Sequence, residues 1–175
     1  MNVAKEYDLI FIGRLVENKG VDLFLGAVKK LNCKAIIVGD GPLYDKIKFE
    51  IRNSKLEIKL HGYAKDSHEI AELINKSKIL VMPSYNEGGP RVVLEAMACG
   101  VPVLATLVGI VLDLGLAVIG IDWNSEDIAK KASHILNNET EFMRLKQAGL
   151  EIAKQFEKKE AIKNYADKLK EVLTG

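Results

Sequence analysis

The sequence contains only two cysteines, Cys33 and Cys99, among its 175 residues. Two cysteines are too few for a disulfide framework or for a metal site built from several thiolates. Their scarcity favours a reducing compartment, so a cytoplasmic location is expected. A chain of this length is expected to form a single domain that buries roughly 70% of its unfolded surface without covalent cross-links.

The chain also lacks an excess of charge and any long apolar run. Its formal net charge is +1, and no basic cluster is present, which argues against binding duplex nucleic acid because phosphates require several Lys or Arg side chains on one face. No apolar run approaches the roughly 20 residues that span a bilayer, and residues 1–8 do not resemble a signal peptide. Any membrane association is therefore expected to be peripheral, at the inner membrane face.

Short apolar segments alternate with helical patterns along most of the chain. Strands are predicted at 9–12, 35–38, 56–60, 79–82, 103–105 and 116–119, and helices between them at 21–31, 43–53, 67–77 and 90–98. Most strand segments are continuously apolar, which is typical of parallel strands covered by helices on both faces. The pattern predicts an α/β fold with a doubly wound, Rossmann-like parallel sheet.

The chain becomes helical after residue 125. Helices are predicted at 125–136, 139–155 and 158–173, the last with Ile162, Tyr165, Leu169 and Val172 at helical spacing. This last helix is interpreted as docking on its own domain, and a membrane-surface or partner-facing helix is the alternative. Boundary signals support earlier helices as well, since Asp66 followed by Glu69 resembles a capping box.

Glycines and charged residues follow the predicted strands. They occupy 13–20, 39–42, 61–63 and 83–87, directly after four of these strands. In open parallel sheets, ligands bind in the crevice beyond the carboxyl ends of the strands. The sequence therefore predicts a binding site at this edge of the sheet.

Arg14 and Lys19 flank the start of the helix expected near Val21. Cations at a helix N-terminus are unfavourable alone, because free amides and the helix dipole already supply positive charge there. Two solvated loop charges are one interpretation. The other is a bound anion, since charge-assisted hydrogen bonds contribute roughly 1.5–3 kcal/mol each, and a diphosphate would suit the pair.

The segment from Glu87 to Glu95 is the second candidate. Glu95 stands in an otherwise apolar helix, where an ion pair with Arg91 would contribute only about 0.2–0.5 kcal/mol. Glu87 precedes the helix, and Gly88 and Gly89 leave the backbone amides open to a ligand. The two carboxylates are interpreted as acceptors for sugar hydroxyls, with general acid–base catalysis as the alternative.

These residues carry a resemblance to a known family. The segments GRLVENKG, GDGP and EGGPRVVLEAMACGVPVLAT, in this order, resemble the group-one family of retaining glycosyltransferases with GT-B architecture, in its C-terminal nucleotide-sugar-binding domain. The resemblance is close over 9–106. It implies transfer of a hexose from a UDP-sugar or GDP-sugar with retention at the anomeric carbon, without a metal ion or another cofactor.

The resemblance also implies residue roles. Arg14 and Lys19 would bind the diphosphate and neutralise charge on the leaving nucleotide, Glu87 would contact the donor sugar, and these three form the expected catalytic set. Glu95 would hold the ribose hydroxyls. The other expected donor contacts are Gly13, Gly41, Gly62, Gly88, Gly89, Pro90, Arg91 and Val92.

The sequence departs from the family's pattern in three respects. Pro90 and Arg91 stand where the family has Gly and an aromatic or apolar residue, and 107–116 is short and apolar in place of a glycine-rich loop. The N-terminal acceptor-binding domain is absent, so an excised domain or one member of a split enzyme is expected. The alternatives are a stand-alone nucleotide-sugar-binding subunit and half of a GT-B-like epimerase or phosphorylase.

Histidines add little to the candidate site. His68 and His134 are assigned to surface or packing positions, and His61 is expected to end a strand near the cleft. No Asp or Cys stands at ligand spacing from them, so no metal site is predicted. Trp123 is interpreted as a packing residue.

Overall fold

The computed structural model describes residues 4–89 and 91–156. Its strands are Tyr7–Ile12 (β1), Ala35–Val38 (β2), Ile58–Gly62 (β3), Ser77–Met82 (β4), Val103–Ala105 (β5) and Val118–Gly120 (β6). Its α-helices are Val21–Leu31 (α1), Tyr44–Arg52 (α2), Ser67–Asn75 (α3), Arg91–Ala98 (α4), Ser125–Leu136 (α5) and Glu139–Gln155 (α6). Two 3₁₀ segments cover Glu17–Lys19 and Gly109–Ala117.

The strands form one six-stranded sheet in the order β3-β2-β1-β4-β5-β6. Every pairing is parallel, and Leu9 in β1 lies opposite both Ala35 in β2 and Ile79 in β4. The predicted doubly wound α/β fold is confirmed. Strand order reverses between β1 and β4, so a crevice is expected at their carboxyl ends.

Successive side chains of each central strand pack alternately into two separate hydrophobic cores. Leu9 and Phe11 face the core beneath α1 and α5, whereas Ile10 faces the core beneath α3 and α4. Helix α6 contacts both α4 and α5. Because both faces of the sheet are covered, β2 is buried at all four positions, which explains its uninterrupted apolar sequence.

Several element boundaries differ from the sequence prediction, and β1 begins at Tyr7, two residues earlier than predicted. Strand β3 runs from Ile58 to Gly62 and not over 56–60; it is an edge strand in which Lys59 is exposed, so its sequence lacks a continuous apolar signal. Helix α3 ends at Asn75, and β4 begins at Ser77, two residues earlier than predicted. The polar Ser77 is nevertheless fully buried, because its hydroxyl donates to the carbonyl of Leu73 at 2.8 Å.

The apolar segment 107–116 becomes a 3₁₀ structure and not a loop. Val111 and Leu114 are buried three residues apart, the spacing at which 3₁₀ side chains align, and Ala117 is buried beyond a kink at Gly115, where φ is 53°. Leu112 and Leu116 remain exposed. The predicted strand at 116–119 therefore begins only at Val118.

Polar caps fix the starts of three helices. The carboxylate of Asp66 accepts from the Glu69 amide at 2.8 Å, and Asn124 and Asn138 cap α5 and α6 in the same way. The capping box differs in one respect, since the Glu69 carboxylate accepts from the amide of Lys65. Pro90 and the predicted helix at 158–173 lie outside the described residues.

Candidate functional site

The loop after β1 is pinned from beneath by Leu15, whose side chain is fully buried. The Leu15 amide donates to the Asp40 carbonyl at 2.8 Å, and its own carbonyl accepts from Leu43 at 3.0 Å. Gly41 has φ of 153°, and a Cβ there would lie 2.6 Å from the Leu15 carbonyl oxygen. The anchored backbone leaves Arg14 exposed at the sheet edge.

Gly20 brings the loops after β1 and β4 into contact. It has φ of 66°, and a Cβ at this position would overlap the carbonyl oxygen of Pro83. Close by, the amide of Tyr85 donates to the Asn18 carbonyl at 2.9 Å. Lys19, between Asn18 and Gly20, is thereby held against the loop that carries Glu87.

Lys19 and Glu87 form an ion pair. The Lys19 ammonium lies 2.5 Å from Oε1 of Glu87, and the two side chains are 25% and 13% exposed. The hydroxyl of Ser84 donates to the same carboxylate oxygen at 2.8 Å. Sequence reasoning placed both charged residues near one ligand but did not foresee that they bond to each other.

Ser84 links Glu87 to the neighbouring strands. It is 1% exposed, and its carbonyl accepts from Thr106 Oγ1 at 2.5 Å and from Trp123 Nε1 at 3.2 Å. The indole of Trp123 also stacks on Tyr85, with ring centroids 5.9 Å apart. The interpretation of Trp123 as a packing residue is wrong in part, because 51% of its surface is exposed.

A cleft of about 330 Å³ collects most of the sequence-predicted site residues. Three basic and two acidic side chains line it, so one positive charge is in excess. Around Gly88 and Gly89, a hypothetical Cβ would meet no atom within 4 Å, so the backbone there is open. The cleft is lined by Ile12, Gly13, Arg14, Lys19, Ile70, Glu87, Gly89, Arg91, Val92 and Glu95.

Glu95 faces this cleft from the middle of α4. Its nearest cation is the Arg91 guanidinium at 3.6 Å, one helical turn away. Arg91 is 86% exposed and Glu95 is 30% exposed, so the pair is well solvated and contributes little to stability. The carboxylate of Glu95 therefore remains accessible to a ligand in the cleft.

An adjoining concavity of about 380 Å³ is mostly apolar. It shares Ile12, Gly13, Arg14 and Ile70 with the charged cleft and is otherwise lined by Val38, Gly39, Asp40, Tyr63 and Ala64. Gly41 and Gly62 were predicted as donor contacts but do not line either concavity. Gly62 instead accepts a hydrogen bond from the Gly39 amide at 2.7 Å, and Gly41 packs against Leu15.

Ile70, Tyr63 and Ala64 were missed by sequence reasoning. In the sequence, Tyr63 follows a strand and Ile70 is one apolar residue of a predicted helix. Neither pattern indicates a contact with a ligand. The loop that carries Tyr63 and Ala64 is fixed by Glu69. The Glu69 carboxylate accepts from the Lys65 amide at 2.8 Å and pairs with His61 at 3.2 Å. The Lys65 amide, followed by His61, lowers the pKa of Glu69 against a smaller opposing effect of desolvation.

A larger concavity, of about 700 Å³, lies at the opposite side of the sheet, where strands β1 to β4 begin. Four lysines and three acidic side chains line it, and two ion pairs among them are Lys78 with Asp8 at 2.8 Å and Lys34 with Glu57 at 3.2 Å. None of the described residues that line it is a glycine. The side chains of these pairs are partly or largely exposed, so the pairs contribute little to stability.

Within residues 4–89 and 91–156, no group of three or more His, Cys, Asp or Glu side chains is arranged to hold a metal ion. Across the same residues, no helix combines the length and the apolar character needed to cross a membrane.

Comparison with known proteins identifies relatives of nearly the whole chain. The family model described as "Glycosyl transferases group 1" matches residues 2–168. An uncharacterised glycosyltransferase of Methanocaldococcus jannaschii is 37% identical over 152 residues, which cover 84% of this chain and 43% of that protein. The chain thus spans less than half the length of this relative.

Solved structures with the same fold include HepE of Anabaena in complex with UDP. It matches with a TM-score of 0.82 and 22% identity, over 94% of this chain and 49% of HepE. A C-terminal domain of a glycosyl transferase group 1 family protein, LpcC of Francisella tularensis, matches with a TM-score of 0.75 and 24% identity. That match covers 88% of this chain and 87% of the LpcC domain. The fold is that of one half of a GT-B glycosyltransferase.

Proposed function

Because the chain belongs to the group 1 glycosyl transferases, we propose that it is the domain that binds a UDP-sugar or GDP-sugar donor in a hexosyltransferase. The observation that carries this proposal is the placement of Arg14 and Lys19 on one cleft with Glu87 and Glu95. Two cations beside open backbone at a sheet edge suit a diphosphate, because each charge-assisted hydrogen bond is roughly twice as strong as a neutral one.

The two concavities divide the donor between them. In our proposal, the diphosphate lies at Arg14 and Lys19, where both concavities meet at Gly13 and Arg14. The apolar concavity is suited to a flat nucleobase, and Glu95 accepts hydrogen bonds from ribose hydroxyls. Glu87 accepts from a hydroxyl of the sugar. HepE, with the same fold, has been solved with UDP and glucose, which supports the binding of a nucleotide and a sugar by this fold.

We further propose that transfer proceeds with retention and without a metal ion. The bond between the anomeric carbon and the phosphate oxygen breaks, an acceptor oxygen bonds to that carbon on the same face, and the acceptor proton passes to the departing phosphate. Arg14 and Lys19 stabilise the negative charge that develops on the phosphate, a contribution that costs several kcal/mol per lost donor in other enzymes.

We assign acceptor binding to the remainder of a longer protein or to a separate chain, because this chain spans 43% of its archaeal relative. A donor site alone does not position an acceptor against the anomeric carbon, so we expect the chain to be inactive by itself. With Cys33 and Cys99 both free, we propose that transfer takes place in the cytoplasm, at the inner face of a membrane if the acceptor is a lipid.

Thermal unfolding with nucleotides tests the proposal. At one hundred times its dissociation constant, UDP or GDP is expected to stabilise the chain by about 2.7 kcal/mol, which is roughly 5–10 °C in Tm. Arg14→Ala should remove most of this shift, whereas Arg52→Ala, an exposed arginine at the end of α2, should retain it. Equal shifts for both variants, or no shift of the wild type with any nucleoside diphosphate, would overturn the assignment.

A further inference from the structure

Three strand ends converge on the backbone of Ser84. Ser84 follows β4, Thr106 follows β5 and Trp123 follows β6. The Thr106 hydroxyl and the Trp123 indole N–H both donate to the Ser84 carbonyl, at 2.5 and 3.2 Å. A carbonyl oxygen accepts two such bonds with its two lone pairs, so the position of Ser84 is fixed by groups from two other loops.

Because the position of Ser84 is fixed, its side chain also restrains the position of the Glu87 carboxylate. Its hydroxyl donates to Oε1 of Glu87 at 2.8 Å, and Lys19 donates to the same oxygen at 2.5 Å. Among the residues that the structure describes, none donates a hydrogen bond to Oε2 of Glu87. The carboxylate is thus held by one oxygen, while the other is left for a ligand.

We propose that Ser84, Thr106 and Trp123 are positioning residues that fix the Glu87 carboxylate so that its Oε2 faces a hydroxyl of the donor sugar. The first part, the fixing of Glu87, concerns the unliganded chain alone. The second part, the contact with the sugar, rests on the function proposed above. Trp123 acts through the Ser84 carbonyl, and Ser84 acts through Oε1.

The exposure of Trp123 supports a role other than filling the core. About half of the surface of Trp123 is in contact with solvent, although burial of an indole is strongly favourable. What holds the ring is directional: the N–H bond to Ser84 and a near-parallel stack on Tyr85, with 11° between the ring planes. Ser84 is 1% exposed, so its hydroxyl has no solvent in which to find another partner.

Crystal structures of the unliganded chain test the first part. Ser84→Ala removes the bond to Oε1, and Thr106→Val removes one donor to the Ser84 carbonyl at nearly constant shape. Trp123→Phe removes the other donor together with one ring of the indole that stacks on Tyr85. Ser84→Ala is expected to leave Glu87 in more than one conformation, and the other two variants to displace the Ser84 carbonyl. Thr106→Ser, which retains the hydroxyl, should restore the wild-type arrangement. An unchanged Glu87 in Ser84→Ala would overturn the proposal.

Calorimetric titration tests the second part and separates it from a general loss of folding. The probes are UDP, UDP-glucose, GDP and GDP-mannose. For the sugar nucleotide that the wild type binds more tightly than its diphosphate, Ser84→Ala should bind about ten-fold less tightly, and the diphosphate should change less than two-fold. Thr106→Val and Trp123→Phe should lose about three-fold, and Thr106→Ser nothing.

The outcomes distinguish the two proposals. If the wild type binds no nucleoside diphosphate, the proposed function fails, and the crystal structures alone decide whether Glu87 is positioned. If the wild type binds the diphosphates but gains nothing from an attached sugar, or if Ser84→Ala weakens diphosphate and sugar nucleotide equally, the sugar contact through Oε2 is refuted.

Discussion

The Lys19 ammonium bonds to Oε1 of Glu87 at 2.5 Å, joining residues that are 68 positions apart in the sequence. The two side chains are partly buried, so their attraction is only partly screened by solvent. An anion that enters the cleft must therefore compete with Glu87 for Lys19. The negative charge of Glu87 is therefore expected to lower the affinity of the cleft for a diphosphate.

Glu87→Gln is expected to increase the affinity for UDP about five-fold, or ~1 kcal/mol. The substitution removes one of the two carboxylates that line the cleft and leaves Lys19 free to bond to phosphate. A full Coulomb energy would be larger, but exposure of the side chains reduces it. The gain should not extend to the UDP-sugar, which loses an acceptor for its hydroxyl. Calorimetric titration at low and high salt measures both affinities.

Glu17→Gln provides the charge-matched control for this prediction. Glu17 is exposed and lies in the same loop as Lys19, but it does not line the cleft. Its effect on UDP affinity should be less than two-fold. If Glu87→Gln binds UDP more weakly than the wild type does, Lys19 is not restrained by Glu87 in the manner inferred here.

Glu95→Ala should weaken UDP binding about ten-fold and leave inorganic pyrophosphate unaffected. Glu95 is assigned to the ribose, and loss of an acceptor from such a contact costs roughly 1–1.5 kcal/mol. Glu151→Ala is the control, since Glu151 is exposed on α6 and is not among the residues that line the cleft. Competition of UDP and pyrophosphate for the same site gives both constants. If the affinities for UDP and pyrophosphate fell to the same extent, Glu95 would act on the phosphates and not on the ribose.

Protonation of Glu69 should lower the stability of the folded chain in acid. The pKa of Glu69 is lowered from 4.5, first by the Lys65 amide and also by His61, so folding favours the ionised carboxylate. Its contribution is complete above the unfolded pKa near 4.5 and is lost as the pH falls through the lower, folded pKa. In Glu69→Gln, the loss of stability below pH ~4.5 should be smaller than in the wild type.

Urea unfolding at neutral pH and at about pH 3 measures this difference. Glu72→Gln is the matched control, because Glu72 lies on the same helix and is 61% exposed. An acid response of Glu69→Gln identical to that of the wild type would show that the bond to Lys65 does not favour the ionised form.

The bounds of a strand followed from the sequence where all of its residues are buried and apolar, but not at the polar starts of β1 and β4. The bounds of β2 and β5 were predicted without error, because every residue of each strand is buried and apolar. Edge strand β3 was misplaced by two residues, since a half-exposed strand tolerates Lys59 and His61. The 3₁₀ segment Gly109–Ala117 was missed, because its spacing of three is shared by irregular apolar loops.

The sequence predicted which loops form the candidate site. It did not predict the hydrogen bonds between their side chains. That Arg14, Lys19, Glu87 and Glu95 share a cleft follows from parallel strands that end at one edge. The contacts of Ser84 with Glu87, Thr106 and Trp123 depend on strand register and side-chain conformation across three loops. No local pattern in the sequence encodes them.

Glycines in the site loops should separate into two classes when they are replaced by alanine. Gly20 has φ of 66°, and an added Cβ would overlap the carbonyl oxygen of Pro83, a backbone atom that cannot move away cheaply. Gly20→Ala is expected to cost about 2–4 kcal/mol, because the left-handed conformation and the overlap both oppose the methyl group. In a chain of this size the Tm should fall by roughly 5–15 °C.

Gly88→Ala is the matched variant, since a Cβ at Gly88 meets no atom within 4 Å. Its Tm should remain close to that of the wild type, because a substitution in open space changes stability by no more than about 0.5 kcal/mol. Its affinity for a UDP-sugar should nevertheless fall, since the added methyl group occupies space beside the cleft through which the ligand reaches the backbone. Scanning calorimetry and titration of the two variants measure stability and binding separately. If Gly88→Ala bound as tightly as the wild type, the donor would not approach this backbone, and the glycine would serve only the path of the chain between β4 and α4.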